Sequence, residues 1–140
     1  MVVTETYFAD TWYWVALVNK SDQHHSAVRR IARDIGKHPI VTSEMVFNEL
    51  LGSFAKERVR HLRKLAVALI KALESDPSIT IVRQTPEQFQ QAIRHYEIYH
   101  DKLWSLTDCA SMLIMKAHNL DIAITDDHHF EQASFKIRNA

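Results

Sequence analysis

Acidic side chains stand at the ends of apolar runs in this sequence. Asp10 directly follows Tyr7-Phe8-Ala9, and Asp126 and Asp127 directly follow Ile122-Ala123-Ile124-Thr125. Glu49 lies about two turns into the helix expected after Pro39-Ile40-Val41-Thr42, and Asp108 one turn into the helix expected near Ser105. Singly, each has an ordinary structural use. Asp10 and Asp126 suit helix N-caps, Asp108 suits an Asp variant of the capping box begun by Ser105, and Glu49 suits a solvated helix face. Together they suggest chemistry. Carboxylates gathered at one edge repel one another, and some rise in pKa or stay protonated unless a cation neutralises them. Hard divalent cations such as Mg²⁺ or Mn²⁺ take oxygen ligands of this kind. Magnesium also shares its remaining positions with water and phosphate oxygens. Such a site suits metal-assisted phosphodiester hydrolysis, with water as the nucleophile.

The elements between these acids must bring them to one place. Thr4 to Asp10, Pro39 to Thr42, Ser78 to Arg83, Asp121 to Thr125 and Ser134 to Arg138 are predicted as short strands from their apolar or alternating pattern. Helices are predicted over Thr11–Val18, Asp22–Ile35, Ser43–Phe54, Arg58–Leu73, Pro86–Tyr99 and Ser105–His118. Asp22 stands as a cap, Gly36 as a stop and Pro86 at a helix start. In the helix from Arg58, residues Val59, Leu62, Leu65, Ala66 and Leu69 are expected on one buried face. Strands alternating with helices predict an α/β fold: a mainly parallel sheet with helices on both faces. In such sheets ligands sit beyond the carboxyl ends of the strands, where the acids fall.

Composition narrows the classes. A chain of 140 residues with no linker-like stretch is expected to form one domain, residues 1–140. Seventeen Lys and Arg balance seventeen Asp and Glu, which excludes a polycation that holds nucleic acid by bulk charge. The single Cys109 excludes an internal disulfide framework and a Cys-rich zinc module, and fits a reducing compartment. No apolar run approaches the roughly 18 residues of a membrane span. The opening MVVTETYFAD lacks the basic stretch of a secretory leader, so a cytoplasmic protein with no membrane partner is expected. Nucleotide-binding glycine motifs and the G-x-S-x-G string are absent.

Five strings carry a family resemblance. They are Tyr7-Phe8-Ala9-Asp10-Thr11, the D-x-x-H string Asp22 to His25, Thr42 to Leu50 around Glu49, Asp101 to Cys109 around Asp108, and Thr125-Asp126-Asp127-His128-His129-Phe130. In their order and spacing the chain resembles the PIN-domain ribonucleases, in particular the VapC-like toxins of bacterial toxin–antitoxin pairs. The resemblance implies a three-layer α/β/α fold with a parallel sheet of about five strands, and an endoribonuclease that uses Mg²⁺ or Mn²⁺. It implies that Asp10, Glu49, Asp108 and Asp127 form the acidic metal site, with Asp10 and Asp108 central. The T-x-D-x-H-F pattern favours Asp127 over Asp126, which becomes a cap or a neighbour of the ligands. Thr11, Ser105 and Thr125 match positions whose hydroxyls support the site. A cognate VapB-like antitoxin and a homodimer are implied as well. The family usually has Gly before the Phe that follows its H-F-E-Q-A string, and here Ser134 stands there.

An RNA path is harder to read. On a continuous helix Lys56, Arg60, Arg63 and Lys64 fall on one face and suit a phosphate track; charged outer faces are also ordinary. Trp104 is the expected surface tryptophan for base stacking, with Trp12 and Trp14 expected in packing. His24-His25 and His128-His129 are adjacent pairs whose rings point apart, so neither pair chelates by itself. His25 is expected to pack or hydrogen-bond near its helix start, and Cys109 to be buried. Two other functions fit the same residues: a PIN nuclease of RNA maturation or decay without an antitoxin, and a non-cleaving module that binds RNA or protein.

Overall fold

The structure, a computed structural model, describes residues 5–140. Five strands form one parallel sheet: β1 (Tyr7–Ala9), β2 (Ile40–Ser43), β3 (Ile79–Val82), β4 (Ile122–Ile124) and β5 (Lys136–Arg138), in the order β3-β2-β1-β4-β5. Thr4, where the first strand was predicted to begin, lies outside the described residues. β1 and β2 are buried along their whole length. Their runs, Tyr-Phe-Ala and Ile-Val-Thr-Ser, lack the polar alternation of a half-solvated strand, as expected for a parallel sheet covered on both faces. The edge strands β3 and β5 are only partly buried.

Parallel neighbours need crossovers, and helices supply them. They are α1 (Thr11–Val18), α2 (His25–Ile35), α3 (Glu44–Ser53), α4 (Arg63–Glu74), α5 (Pro86–Ile98), α6 (Leu106–Ala117) and α7 (His129–Gln132). From β1 the chain steps outward through β2 to β3. It then returns to the other side of β1 for β4 and continues to β5. The direction of winding therefore reverses between β1 and β4, and a crevice opens beyond the carboxyl ends of strands at such a point. The core gathers around Phe8, with Ile31, Leu50, Phe54, Met115, Ile124 and Phe130 almost wholly buried.

Local chemistry sets the element ends. The Ser43 hydroxyl accepts from the Val46 amide at 3.2 Å and starts α3 directly at the end of β2. Thr85 with Gln88, and Ser105 with Asp108, form reciprocal capping boxes at the starts of α5 and α6. Helix α6 ends on Asn119, at φ +56°, with the Leu120 amide donating to the Met115 carbonyl at 2.9 Å. This left-handed residue and six-to-one bond form a Schellman ending in which Asn replaces the usual Gly.

The observed elements depart from the predicted ones in three places. Helix α2 begins at His25 instead of Asp22, because the Asp22 carboxylate accepts from the His24 amide at 2.8 Å and holds a turn. The helix predicted from Arg58 is a 3-10 helix, Glu57–Leu62, followed by α4. Three residues per turn place Val59 and Leu62 on the same side, and both pack against the core. Leu65 consequently leaves the buried face and is 50% exposed. Helix α7 spans one turn, too short for periodicity to reveal.

Candidate metal centre

Asp10 is the first residue after β1. Its amide donates to the Ile124 carbonyl of β4 at 3.2 Å, which fixes the backbone at the reversal point of the sheet. It stands at the N-cap position of α1, yet its side chain makes no capping bond among the described residues. The carboxylate instead accepts from the Thr125 hydroxyl at 2.9 Å. Only 6% of Asp10 is exposed. Burial pushes its pKa from 3.8 up to about 7, against hydrogen bonds from the Thr11 amide and Thr125 that favour the charged form. The negative charges of Asp108 and Glu49 add to the rise.

Asp108 has a structural and an electrostatic character at once. Its Oδ2 accepts from the Ser105 amide at 3.0 Å, and the Ser105 hydroxyl accepts from the Asp108 amide at 3.0 Å. The capping box thus fixes a buried carboxylate one turn into α6. Burial raises its pKa, the Ser105 bond opposes the rise, and the charge of Asp127 adds to it. Asp127 follows β4 in the loop before α7. Its amide donates to the Thr125 hydroxyl at 3.1 Å, and its Oδ1 accepts from the His129 amide at 2.9 Å. Thr125 therefore donates to one acid and accepts from the backbone of another.

Asp10, Glu49, Asp108 and Asp127 all line one open cleft of about 600 Å³. Glu49 reaches it from α3 and is exposed. Thr11, Ser105 and Thr125 line the same cleft. Asp126 is on its rim, exposed, with Oδ2 3.8 Å from His24 Nε2. The N-cap of α7 is His128, so Asp126 does not cap that helix. Trp12 and Asp22 also line the cleft, though neither was singled out for it. The Asp22 position carried a signal in the D-x-x-H string. The His25 of that string bonds through Nδ1 to the Ala16 carbonyl at 2.6 Å, tying α2 to α1.

His129 lines the cleft beside two of the acids, a place that spacing did not give it. Its Nδ1 lies 3.2 Å from Asp108 Oδ2 and 3.1 Å from Asp127 Oδ1. One partner, Asp127, is two residues away, but the other, Asp108, comes from α6, so adjacent-histidine spacing does not reveal the contact. The histidine of the T-x-D-x-H-F string was the available signal.

The donor set fits a divalent cation. Asp10, Glu49, Asp108 and Asp127 come from four separate segments and line one cleft. Donor atoms of Asp108, Asp127 and His129 lie within 4.8 Å of one another, a group that Asp10 and Glu49 border without joining. Deep burial keeps Asp10 from ionising at low pH unless a positive charge is nearby. Thr11 Oγ1 lies buried in the cleft wall with no hydrogen-bond partner among the described residues. A buried hydroxyl without a partner is costly, and a hydrated cation would supply one.

The predicted RNA contacts do not assemble there. Trp104 is 6% exposed, a correction to the surface role expected of it. Its Nε1 donates to Gln132 Oε1 at 2.9 Å and its ring stacks on His95 with centroids 5.9 Å apart. Lys56 precedes the 3-10 helix, Arg60 lies within it, and Arg63 and Lys64 open α4, so the four do not stand on the one continuous helix that the phosphate track assumed. Arg63 Nε donates to the Phe54 carbonyl at 3.0 Å, and Arg60 pairs with Glu57 at 3.3 Å. None of these five residues lines the acidic cleft.

The family model described as "PIN domain" matches residues 7–136. The chain belongs to the PIN domain family. Solved structures agree in fold. Mycobacterium tuberculosis VapC20, described as a Sarcin-Ricin loop cleaving toxin, superposes with a TM-score of 0.79 at 21% identity, covering 92% of this chain and 95% of that one. VapBC2 from Rickettsia felis, bound to a DNA fragment from their promoter, gives 0.62 at 14% identity over 96% and 98%. FitAcB from Neisseria gonorrhoeae gives 0.62 at 17% identity over 95% and 96%. No curated protein matches the chain. Among the described residues no helix of this PIN domain is long and apolar enough to cross a membrane.

Proposed function

We propose that this PIN domain is a divalent-metal-dependent endoribonuclease and the toxin of a VapBC-type toxin–antitoxin pair, acting in the cytoplasm. The observation that carries the reading is the convergence of Asp10, Glu49, Asp108 and Asp127 on one cleft. A module that only binds an anion gains nothing by lining its cleft with carboxylates. Asp10 and Asp108 hold Mg²⁺ or Mn²⁺, and Glu49 and Asp127 complete the site. When bound, the cation neutralises charge on the phosphoryl oxygens and acidifies the attacking water. Thr125 holds the Asp10 carboxylate in place and the Ser105 cap holds that of Asp108, so neither acid has to be ordered when substrate arrives. The open cleft admits a polymer strand. In-line attack of water on phosphorus expels the ribose 3′ oxygen and leaves a 5′-phosphate and a 3′-hydroxyl.

The likeness to VapC20 and VapBC2 supports a toxin with a cognate VapB-like antitoxin. An exposed apolar stripe on α5, formed by Phe89, Ile93 and Tyr96 at helical spacing, supports a homodimer. Labelled single-stranded RNA incubated with the purified protein tests the activity. Cleavage is expected with Mn²⁺ or Mg²⁺, and its loss with EDTA or in Asp10→Asn. Tight RNA binding without cleavage, or cleavage indifferent to EDTA, would overturn the reading.

A further inference from the structure

His129 opens α7, two residues after Asp127. Its Nδ1 is 3.2 Å from Asp108 Oδ2 and 3.1 Å from Asp127 Oδ1, and one donor atom from each of the three residues lies within 4.8 Å of the others. Neighbouring ligands in an octahedron with bonds of about 2.1 Å stand about 3.0 Å apart. The two observed separations match that spacing, and they match hydrogen bonds equally well. In the metal-free protein a proton on Nδ1 would serve the same two oxygens. A second observation points to a ligand in this cleft: the Thr11 hydroxyl, on a residue 8% exposed, is buried and unpartnered among the described residues.

We infer that His129 Nδ1 is a ligand of the cation held by Asp108 and Asp127, and that it makes this site prefer Mn²⁺ to Mg²⁺. The inference rests on the metal-dependent reading above. Mg²⁺ is a hard ion that favours all-oxygen surroundings and gives up its water reluctantly. Mn²⁺ also takes oxygen ligands and stands lowest in the first-row affinity order, but as a transition-metal ion it is less hard than Mg²⁺ and accepts an imidazole nitrogen more readily. Replacing one oxygen or water by nitrogen thus gains more for Mn²⁺ than for Mg²⁺. His128 cannot take this part, since its ring turns away to pair with Glu131.

The test is binding, not cleavage. Free Mn²⁺ is followed by electron paramagnetic resonance and Mg²⁺ by competition, at a single pH, for wild type and His129→Gln. The glutamine keeps the backbone amide that Asp127 accepts. The Mn²⁺ dissociation constant is expected to rise about tenfold or more, a loss of the size seen when the shell around a metal is disturbed, with Mg²⁺ affinity changed by less than about threefold. Equal losses for both ions would make His129 a positioning residue for the carboxylates and overturn the inference, as would no loss for either. A wild-type measurement guards against a misfolded variant: bound Mn²⁺ must broaden the His129 ring resonances beyond those of His128, and unbroadened His129 resonances overturn the inference. A wild type that binds no Mn²⁺ at all would instead remove the metal-dependent reading beneath it.

Discussion

A carboxylate as deeply placed as Asp10 has thermodynamic consequences of its own. Its folded-state pKa of about 7 lies well above the ordinary 3.8, so between roughly pH 4 and 7 the metal-free folded protein keeps a proton that the unfolded chain has lost. Stability from this group is complete below pH 4 and falls as pH rises through 7. The displacement corresponds to about 4 kcal/mol. Asp10→Asn has no such titration and can still accept from Thr125. In EDTA the variant is therefore expected to gain on wild type in thermal stability as pH is raised from 4 to 8. A constant difference across that range would contradict the assignment. Mn²⁺ at pH 7.5 should raise the melting temperature of wild type but not of the variant. Trp104 makes the opposite case. With its ring buried and its Nε1 bonded to Gln132, Trp104→Ala should cost about 3–5 kcal/mol in denaturant unfolding. RNA affinity per folded molecule should be unchanged. The acids at strand ends were legible because charge beside an apolar run is conspicuous in sequence. The Trp104 bond to Gln132 and the His129 contact with Asp108 join residues 28 and 21 positions apart, which no local pattern carries.

At the scale of the elements, capping chemistry was the most legible signal. Ser105 with Asp108 and Pro86 at the start of α5 stand where the sequence placed them. The 3-10 segment was not legible, because Val59 and Leu62 at spacing three satisfy either helix; in the structure the Arg63 amide donates to the Arg60 carbonyl, three residues back, where the segment gives way to α4. The turn into β5 shows how a local departure is accommodated. Ser134 has φ +71°, in the left-handed region where a side chain is strained and Gly is at ease. The family resemblance read from the sequence implies Gly at this position. Ser134→Gly is expected to stabilise the fold by about 1 kcal/mol, read as a higher denaturation midpoint at unchanged slope. A lower midpoint would show that the serine side chain contributes more than the backbone loses.

For the whole molecule, the strand pattern predicted an α/β sheet of parallel strands, and that sheet is present with five strands. Its order was not readable from periodicity, since each strand's apolar run fits any central place. The order has a functional meaning, because it sets β1 beside β4 and so brings Asp10 next to Thr125 and Asp127. A net charge of zero gives no bulk attraction to nucleic acid, so the proposed RNA substrate has to be met through one site. The stripe of Phe89, Ile93 and Tyr96 leaves 37–54% of each residue exposed on one face of α5. If it joins two copies, Ile93→Asp should convert a dimer to a monomer in sedimentation while the melting transition stays cooperative. A wild type that sediments as a monomer at high concentration would remove the dimer from the proposal.

The convergence of four acids on one cation is tested most directly by anomalous scattering from crystals soaked in Mn²⁺. A peak is expected within about 2.6 Å of carboxylate oxygens of Asp10 and Asp108, and it should vanish in Asp10→Asn. Mn²⁺ found only outside this cleft, or carboxylates turned away from one another around an empty centre, would contradict it.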